Sequence, residues 1–212
     1  MKKIRIGIGG PVGSGKTAII EVITPLLIKQ NIKPFIITND LVTIEDAKQI
    51  QDTLKGIVDK NKIRGVETGT CPHTAVREDP SMNLAVVEEM EEEFPDCNLV
   101  LIESGGDNLT LTFSPALANF YICVIDVAAG EKIPRKNGPS LIHADLLVIN
   151  KIDLAPYVNT SLKIMENDIK KIRSQKPYVF TNCKTGEGIE TLVEIIISNF
   201  INSIKSINER YG

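Results

Sequence analysis

The feature that most constrains the fold is the stretch GGPVGSGKT near the start of the chain. Its residues 10–17 fit the pattern G-x-x-x-x-G-K-[ST] at every fixed position, between an apolar run (4–8) that predicts a strand and a helical pattern (17–29). In this context glycines let successive backbone N–H groups wrap a phosphate, and the helix N-terminus adds the positive end of its dipole. A glycine-rich turn that binds nothing would not need a lysine and a hydroxyl in register with the glycines. The chain is therefore predicted to bind a nucleotide.

The residues of this loop have distinct expected roles. Lys16 is predicted to reach the β- and γ-phosphates and to act in catalysis, and the Thr17 hydroxyl is predicted to be a ligand of Mg²⁺. The residues predicted to contact the nucleotide are Gly10, Pro11, Val12, Gly13, Ser14, Gly15, Lys16 and Thr17.

Composition and charge exclude several classes of partner. With 212 residues, 42% of them hydrophobic and 24% charged, a single domain over residues 1–212 is expected. The net charge of −3 argues against binding to nucleic acid or acidic lipid. No apolar run approaches the ~20 residues of a membrane span, and the residues before the first glycines are too few for a signal peptide. We therefore expect no nucleic-acid or membrane partner, and a cytoplasmic location where the four cysteines stay reduced.

Predicted strands and helices alternate along the chain. The strands are expected at 4–8, 33–38, 64–67, 98–103, 121–126, 146–150 and 178–181. One helix is expected over 17–29, and a second should begin after a polar turn at 39–46. A third is expected from an Asp79 N-cap, with Pro80 at the first helical position, to about Glu93. An apolar stripe from Ile189 to Ile204 predicts the last helix. Near-continuous apolar strands are typical of sheets covered on both faces. The predicted fold class is α/β, a mostly parallel sheet flanked by helices, as in P-loop NTPases.

A second motif, NKID at 150–153, follows a predicted strand and suits a guanine base. Asp153 can accept from both the ring N–H and the exocyclic amine of guanine, a pair that adenine does not offer. Asn150 can face the polar edge of the base, and the aliphatic stem of Lys151 can cover its ring. Cys183 and Lys184 belong to a downstream loop expected to back the base. The alternative is a polar strand-to-helix turn; the preceding phosphate loop favours GTP as the nucleotide.

Carboxylates at predicted strand ends could complete a phosphate and magnesium site. Asp40 and Glu103 are predicted to act in catalysis together with Lys16, and Asp40 and Glu67 to hold Mg²⁺ together with Thr17. Gly106 would offer an N–H to the γ-phosphate. The alternatives for these acids are helix N-caps and solvated turns. No glutamine is obviously placed to orient an attacking water, so slow intrinsic hydrolysis is expected.

The segment Cys71-Pro72-His73 is a candidate metal site. In an extended segment residues i and i+2 point the same way, which would place a thiolate and an imidazole on one face. Two ligands do not complete a zinc or nickel site, but a two-fold dimer would supply a second pair. A buried cysteine beside a structural histidine is the alternative. His143 is more typical of a structural histidine.

Long blocks of the chain resemble the urease accessory G protein (UreG) family. They are GGPVGSGKT, ITND followed by ED, VETGTCPHTAVREDPSMNL, ESGGDNLTLTFSP, VIDVAAGEKIPRKNGP, VINKIDLAPYV and TNCKTGEG. The chain departs from the family pattern at Gly69-Thr70, where Gly-Gly is usual, and at Leu41-Val42, where an aromatic residue is usual. It also has no histidine-rich N-terminal extension, so nickel storage is not expected.

The resemblance implies a GTPase of the SIMIBI class that dimerises with GTP and delivers nickel to urease. It implies that Cys71 and His73 bind nickel at the dimer interface, that Asp40 lies beside Mg²⁺ in a switch region, and that the partners are the other urease accessory proteins and apo-urease. We expect GTP binding to complete a site of two cysteines and two histidines, and hydrolysis to release the metal; zinc is a possible competitor. Three rivals stay open: a hydrogenase nickel-insertion GTPase, a small-molecule kinase and a non-catalytic GTP sensor.

Overall fold

The computed structural model of the protein describes residues 3–40, 44–69, 73–106 and 108–211, with side chains up to residue 201 in the last helix. Within these residues one sheet contains the strands β1 (Ile4–Gly9), β2 (Pro34–Asp40), β3 (Ile63–Glu67), β4 (Leu99–Glu103), β5 (Phe120–Asp126), β6 (Leu146–Asn150) and β7 (Tyr178–Phe180). Every neighbouring pair is parallel, and the order across the sheet is β3-β2-β4-β1-β5-β6-β7. The predicted α/β class is confirmed.

Helices cover both faces of this sheet. The α-helices in the described residues are α1 (Lys16–Lys29), α2 (Glu45–Thr53), α3 (Ser81–Glu93), α4 (Pro139–His143), α5 (Leu162–Arg173) and α6 (Ile189–Tyr211). Apolar side chains of α1, α2 and α6 pack in one buried cluster, and those of α3, α4 and α5 pack in another. Successive strand residues divide between the two clusters, as Leu101 and Ile102 of β4 do, because strand side chains alternate between faces. No helix in the described part of the chain is long and apolar enough to cross a membrane.

Two details of the secondary structure differ from the sequence-based expectation. Helix α5 was not predicted, although its apolar residues repeat at helical spacing and Ser161 caps it by accepting a hydrogen bond from the N–H of Ile164. Helix α3 begins at Ser81 with Pro80 as N-cap, while the Asp79 side chain accepts from the N–H of Ser81 at 3.2 Å. The predicted N-cap was therefore wrong by one residue, because the aspartate stabilises the turn before the helix.

The carboxyl ends of the parallel strands lie along one edge of the sheet. Strand register pairs Ile8 with Glu103, and Asp40 with Glu67. This edge therefore gathers the polar residues that end β2, β3, β4 and β6, beside the loop that follows β1. Ligands of open parallel sheets bind at this edge.

Candidate nucleotide and metal site

The phosphate-binding loop joins β1 to α1, and its backbone requires glycine at two tight points. Gly10 has φ 142°, and a Cβ there would overlap the carbonyl oxygen of Val124 on β5. Gly15, the N-cap of α1, has φ 94°, and a Cβ there would overlap the side-chain amide of Asn150. Both positions exclude larger residues because the loop lies this close to the end of β5 and to Asn150 of the predicted base-binding motif.

Lys16 is buried, and its side chain folds back onto the backbone of the phosphate-binding loop. Its ammonium Nζ donates to the carbonyl oxygens of Gly10 at 3.1 Å and Pro11 at 3.3 Å. A buried ammonium needs acceptors, and here the loop carbonyls supply them. The charge is therefore held at the mouth of the loop, where phosphate oxygens would be stronger acceptors.

Thr17 and Glu103 form the closest side-chain contact beneath this loop. The Thr17 hydroxyl donates to Oε1 of Glu103 at 2.8 Å, and Glu103 is only 1% exposed. Burial raises the pKa of Glu103 from 4.5 to about 7, against the lowering effects of the Lys16 charge and the Thr17 hydrogen bond. Its second oxygen, Oε2, is buried without a hydrogen-bond partner among the described residues. An orphaned carboxylate oxygen beside a hydroxyl is a donor set that fits Mg²⁺, which prefers oxygen ligands.

Asp40 and Glu67 end the two strands beyond β4. Both the backbone N–H and the hydroxyl of Thr68 donate to the carbonyl oxygen of Asp40, at 2.8 and 3.0 Å. Asp46 in the first turn of α2 adds another carboxylate: burial raises its pKa, and the nearby charge of Asp40 raises it further. Glu67 is exposed on the edge strand. Its role as a magnesium ligand remains a prediction.

Gly106 lies on the other side of the phosphate-binding loop. Its backbone is so close to Val12 that a Cβ would overlap the valine side chain. The Val12 side chain is 82% exposed. Gly106 therefore lies next to the loop, as expected for a residue offering an N–H near the outermost phosphate.

A cavity of about 490 Å³ lies at the other end of the loop, beside α1. It is lined by Gly15, Ala18, Glu21, Val22, Asn150, Lys151, Asp153, Leu154, Asn182, Cys183 and Lys184. The structure thus brings together all the residues predicted to contact the base. The exposed carboxylate of Asp153 contributes to the lining, together with apolar surface from α1.

At the wall of this cavity, Asn150 at the end of β6 forms hydrogen bonds with the phosphate loop and with the loop after β7. It is 1% exposed; its Nδ2 donates to the carbonyl of Ser14 at 3.1 Å, and its Oδ1 accepts from the Thr181 hydroxyl at 3.2 Å and the Cys183 thiol at 3.4 Å. Its polar atoms are therefore engaged with the protein, which gives Asn150 a positioning role that the sequence did not suggest. Burial raises the pKa of Cys183 to about 11, so this thiol is neutral and acts as a donor.

Hydrogen bonds to the backbone also fix the residues on either side of Asn150 in the cavity wall, Lys151 and Asn182. Lys151 has left-handed backbone angles (φ 58°), and its ammonium donates to the carbonyl of Gly13 across the loop. Asn182, which the sequence analysis did not assign a role, accepts from the N–H of Lys184 at 2.9 Å and that of Thr185 at 3.4 Å. These contacts shape the loop that backs the cavity.

The candidate nickel motif is described only at His73. Cys71 lies outside the described residues, as do Thr70 and Leu41-Val42. His73 has helical angles (φ −61°, ψ −42°) and precedes a π-helical turn, Thr74–Glu78, so the expectation of an extended segment is wrong at His73 itself. Its Nε2 is buried without a hydrogen-bond partner among the described residues. Within those residues no group of three or more His, Cys, Asp or Glu side chains could hold a metal.

Comparison with known proteins identifies the family. A family model described as the CobW/HypB/UreG nucleotide-binding domain matches residues 4–180. The urease accessory protein UreG of Yersinia enterocolitica is 76% identical over 201 residues, covering 94% of this chain and 91% of that protein. The chain belongs to the UreG family. The UreG protein of Photorhabdus laumondii is 75% identical, covering 95% of this chain and 96% of its own.

Solved structures share the fold of this UreG-family chain. The hydrogenase maturation factor HypB from Archaeoglobus fulgidus has a TM-score of 0.71 at 24% identity, covering 93% of this chain and 90% of that one. HypB from Helicobacter pylori, solved in complex with nickel, has a TM-score of 0.77 at 18% identity, covering 95% and 88%. At these identities the likeness shows the fold alone.

Proposed function

We propose that this UreG-family protein is a GTPase and nickel metallochaperone for urease maturation. In this proposal GTP drives homodimerisation and completes a nickel site, and hydrolysis releases nickel to apo-urease in a complex with the other urease accessory proteins. The main support is its 76% identity over nearly its whole length to a protein named for urease assembly. The cavity built onto the phosphate loop supports a guanine nucleotide as the ligand.

The phosphates and Mg²⁺ would be held at the loop end of the site. The N–H groups of residues 10–17 and the Lys16 ammonium bind the phosphates; Thr17 and Asp40 hold Mg²⁺, with Glu67 as a further candidate. The metal ion, when bound, neutralises the charge on the β- and γ-phosphates. Glu103 acts beside it by holding the Thr17 hydroxyl at 2.8 Å. The intrinsic hydrolysis rate is expected to be slow.

Nickel would be bound by Cys71 and His73 from each of two protomers. The supporting observation is that Nε2 of His73 is buried and has no hydrogen-bond partner among the described residues, because a buried ring nitrogen is costly unless a ligand or another group satisfies it. Thiolate and imidazole suit nickel, and zinc could compete for the same pair. Binding should weaken as the pH falls, because protons compete for both ligands.

Gel filtration with a GTP analogue and Mg²⁺, with and without nickel, tests the proposal. We expect a dimer only with the analogue, and one nickel ion per dimer. Cys71→Ala and His73→Ala should each abolish the bound nickel while leaving GTP affinity unchanged. His143→Ala is the matched control, since His143 is the second of the two histidines and is exposed at the end of α4. Nickel binding that survives both Cys71→Ala and His73→Ala would refute the site.

The target enzyme can be tested separately. Nickel-loaded protein with GTP should activate apo-urease in the presence of the accessory proteins, and it should not activate an apo-hydrogenase. Activation of the hydrogenase alone would instead favour the rival nickel-insertion function.

A further inference from the structure

Two fully buried asparagines on different elements form a closed pair. Asn39 lies near the end of β2 and Asn83 lies in the first turn of α3, and both are 0% exposed. Nδ2 of Asn39 donates to Oδ1 of Asn83 at 3.1 Å, and Nδ2 of Asn83 donates back to Oδ1 of Asn39 at 2.8 Å. This asparagine pair (Asn39 and Asn83) is shielded from water, and buried polar groups are almost always hydrogen-bonded.

The asparagine pair uses its two remaining amide hydrogens to reach two separate backbone segments. Asn39 donates to the carbonyl of Glu103 at 2.9 Å, at the end of β4. Asn83 donates to the carbonyl of Ala75 at 2.8 Å, in the π-helical turn Thr74–Glu78. All four amide hydrogens are therefore paired, and a buried chain of hydrogen bonds connects these two carbonyls.

Each end of this chain of hydrogen bonds adjoins a different site. Glu103 holds Thr17 of the phosphate loop, and Asn39 directly precedes Asp40. At the other end, Ala75 lies two residues after His73. The turn around Ala75 is further anchored by the N–H of Ser114, which donates to the carbonyl of Val76 at 2.9 Å. Single π-helical turns are uncommon and are frequent at functional sites.

We propose that Asn83, through its pairing with Asn39, is a positioning residue that couples the nucleotide site to the π-helical turn that follows His73. Neither side chain contacts the ligands assigned above. A shift at the end of β4 moves the carbonyl of Glu103, which accepts from Asn39, and a shift at the end of β2 moves the backbone of Asn39 itself. The two reciprocal hydrogen bonds transmit either shift to Asn83, whose own hydrogen bond transmits it to the carbonyl of Ala75. The nickel part of this inference rests on the proposed function; the coupling of nucleotide to the turn does not.

Hydrogen exchange measures the coupling without nickel. In the wild type, Mg²⁺ with a non-hydrolysable GTP analogue should change the protection of the amides of residues 74–78. Asn83→Leu, which removes both donors and the acceptor, should abolish that change. Val87→Ala is the matched control: Val87 lies one turn further along α3 and is 2% exposed, and its truncation lowers stability without removing a hydrogen bond of the asparagine pair. If Asn83→Leu does not fold, Asn83→Ser replaces it, because the shorter side chain cannot span both partners.

Three results would overturn the inference, two of them seen directly in the exchange data of the wild type and the Asn83 variant. One is an unchanged nucleotide effect on residues 74–78 in the Asn83 variant; the other is no such effect in the wild type. Loss of the effect in Val87→Ala as well would also overturn it, because general destabilisation would then explain the result. Retention in Val87→Ala together with loss in the Asn83 variant supports it.

Nickel titration then separates this inference from the proposed function. The ratio of nickel Kd values without and with the analogue should fall by about tenfold in Asn83→Leu, since residues between coupled sites alter coupling by up to that order. A wild type that binds no nickel at Cys71 and His73 would refute the proposed function, while the exchange result would still decide the coupling. An unchanged ratio in Asn83→Leu would refute the inference alone.

Discussion

Replacing Glu103 by glutamine should make the protein more stable relative to the wild type as the pH rises. The folded protein raises the pKa of Glu103 from 4.5 to about 7, chiefly through burial. A carboxyl whose pKa is raised on folding binds its proton more tightly in the folded state. Its stabilising contribution is therefore complete below pH 4.5 and is lost as the pH rises through 7.

The size of the effect follows from these two pKa values. At ~1.4 kcal/mol for each pH unit between them, the full loss is about 3 kcal/mol, and about 2 kcal/mol of it falls between pH 5.5 and pH 8. Glutamine keeps the shape of the side chain, and its oxygen can still accept from the Thr17 hydroxyl. It does not titrate, so the difference between the variant and the wild type isolates the contribution of Glu103.

The assay is urea unfolding of protein freed of nucleotide and divalent metal, at pH 5.5 and pH 8. The free energy of unfolding of Glu103→Gln minus that of the wild type should increase by about 2 kcal/mol between the two pH values. Ile102→Val, the neighbouring buried residue on β4, is the control, because it removes a methylene without changing a titrating group. A difference for Glu103→Gln that does not change with pH would refute the reasoning.

Three further predictions concern other parts of the fold. Gly15→Ala should weaken GTP binding at least ~tenfold by calorimetry, because a Cβ at φ 94° overlaps the Asn150 amide; unchanged affinity would contradict the tight fit. Asp153→Asn should weaken GTP binding and improve that of xanthosine triphosphate, whose 2-oxo group can accept from the new amide, as competition binding would show. Arg173→Leu should destabilise by about 3–5 kcal/mol in urea, because the buried Arg173 donates to four backbone carbonyls, including that of Leu141, which would lose their partner. The half-buried Arg64, whose partners Glu89 and Glu93 are exposed, is the control: Arg64→Leu should cost under ~1 kcal/mol.

The parts of the fold that could be predicted from sequence are those governed by local pattern. The apolar runs at β4, β5 and β6 predicted buried parallel strands because a sheet covered on both faces needs no polar residue within a strand. The α6 stripe predicted a helix because its apolar residues repeat at helical spacing. Helix α5 has a clear amphipathic pattern too, so its omission was an error of reading and not a limit of the sequence.

In the candidate site, too, the residues in local sequence motifs could be predicted and those that depend on tertiary packing could not. Residues 10–17 and 150–153 could be recognised because each motif is contiguous, and parallel strand ends meet at one edge. The roles of Asn39 and Asn83 could not be recognised, since they lie 44 residues apart and their reciprocal bonds depend on how α3 packs against β2. Asp46 was missed because its burial depends on how α2 packs against β2, β3 and α1.

The contact between Thr17 and Glu103 explains why a buried acid is retained beneath the phosphate loop. A hydroxyl has one proton to donate and two lone pairs. Because the proton of Thr17 is committed to Oε1 of Glu103, both lone pairs face away from the carboxylate. A threonine that ligates Mg²⁺ must present a lone pair, so the acid holds the hydroxyl in the required orientation. Burying Glu103 is energetically costly, but the buried carboxylate orients the Thr17 hydroxyl oxygen, which is the atom that the proposed magnesium site needs.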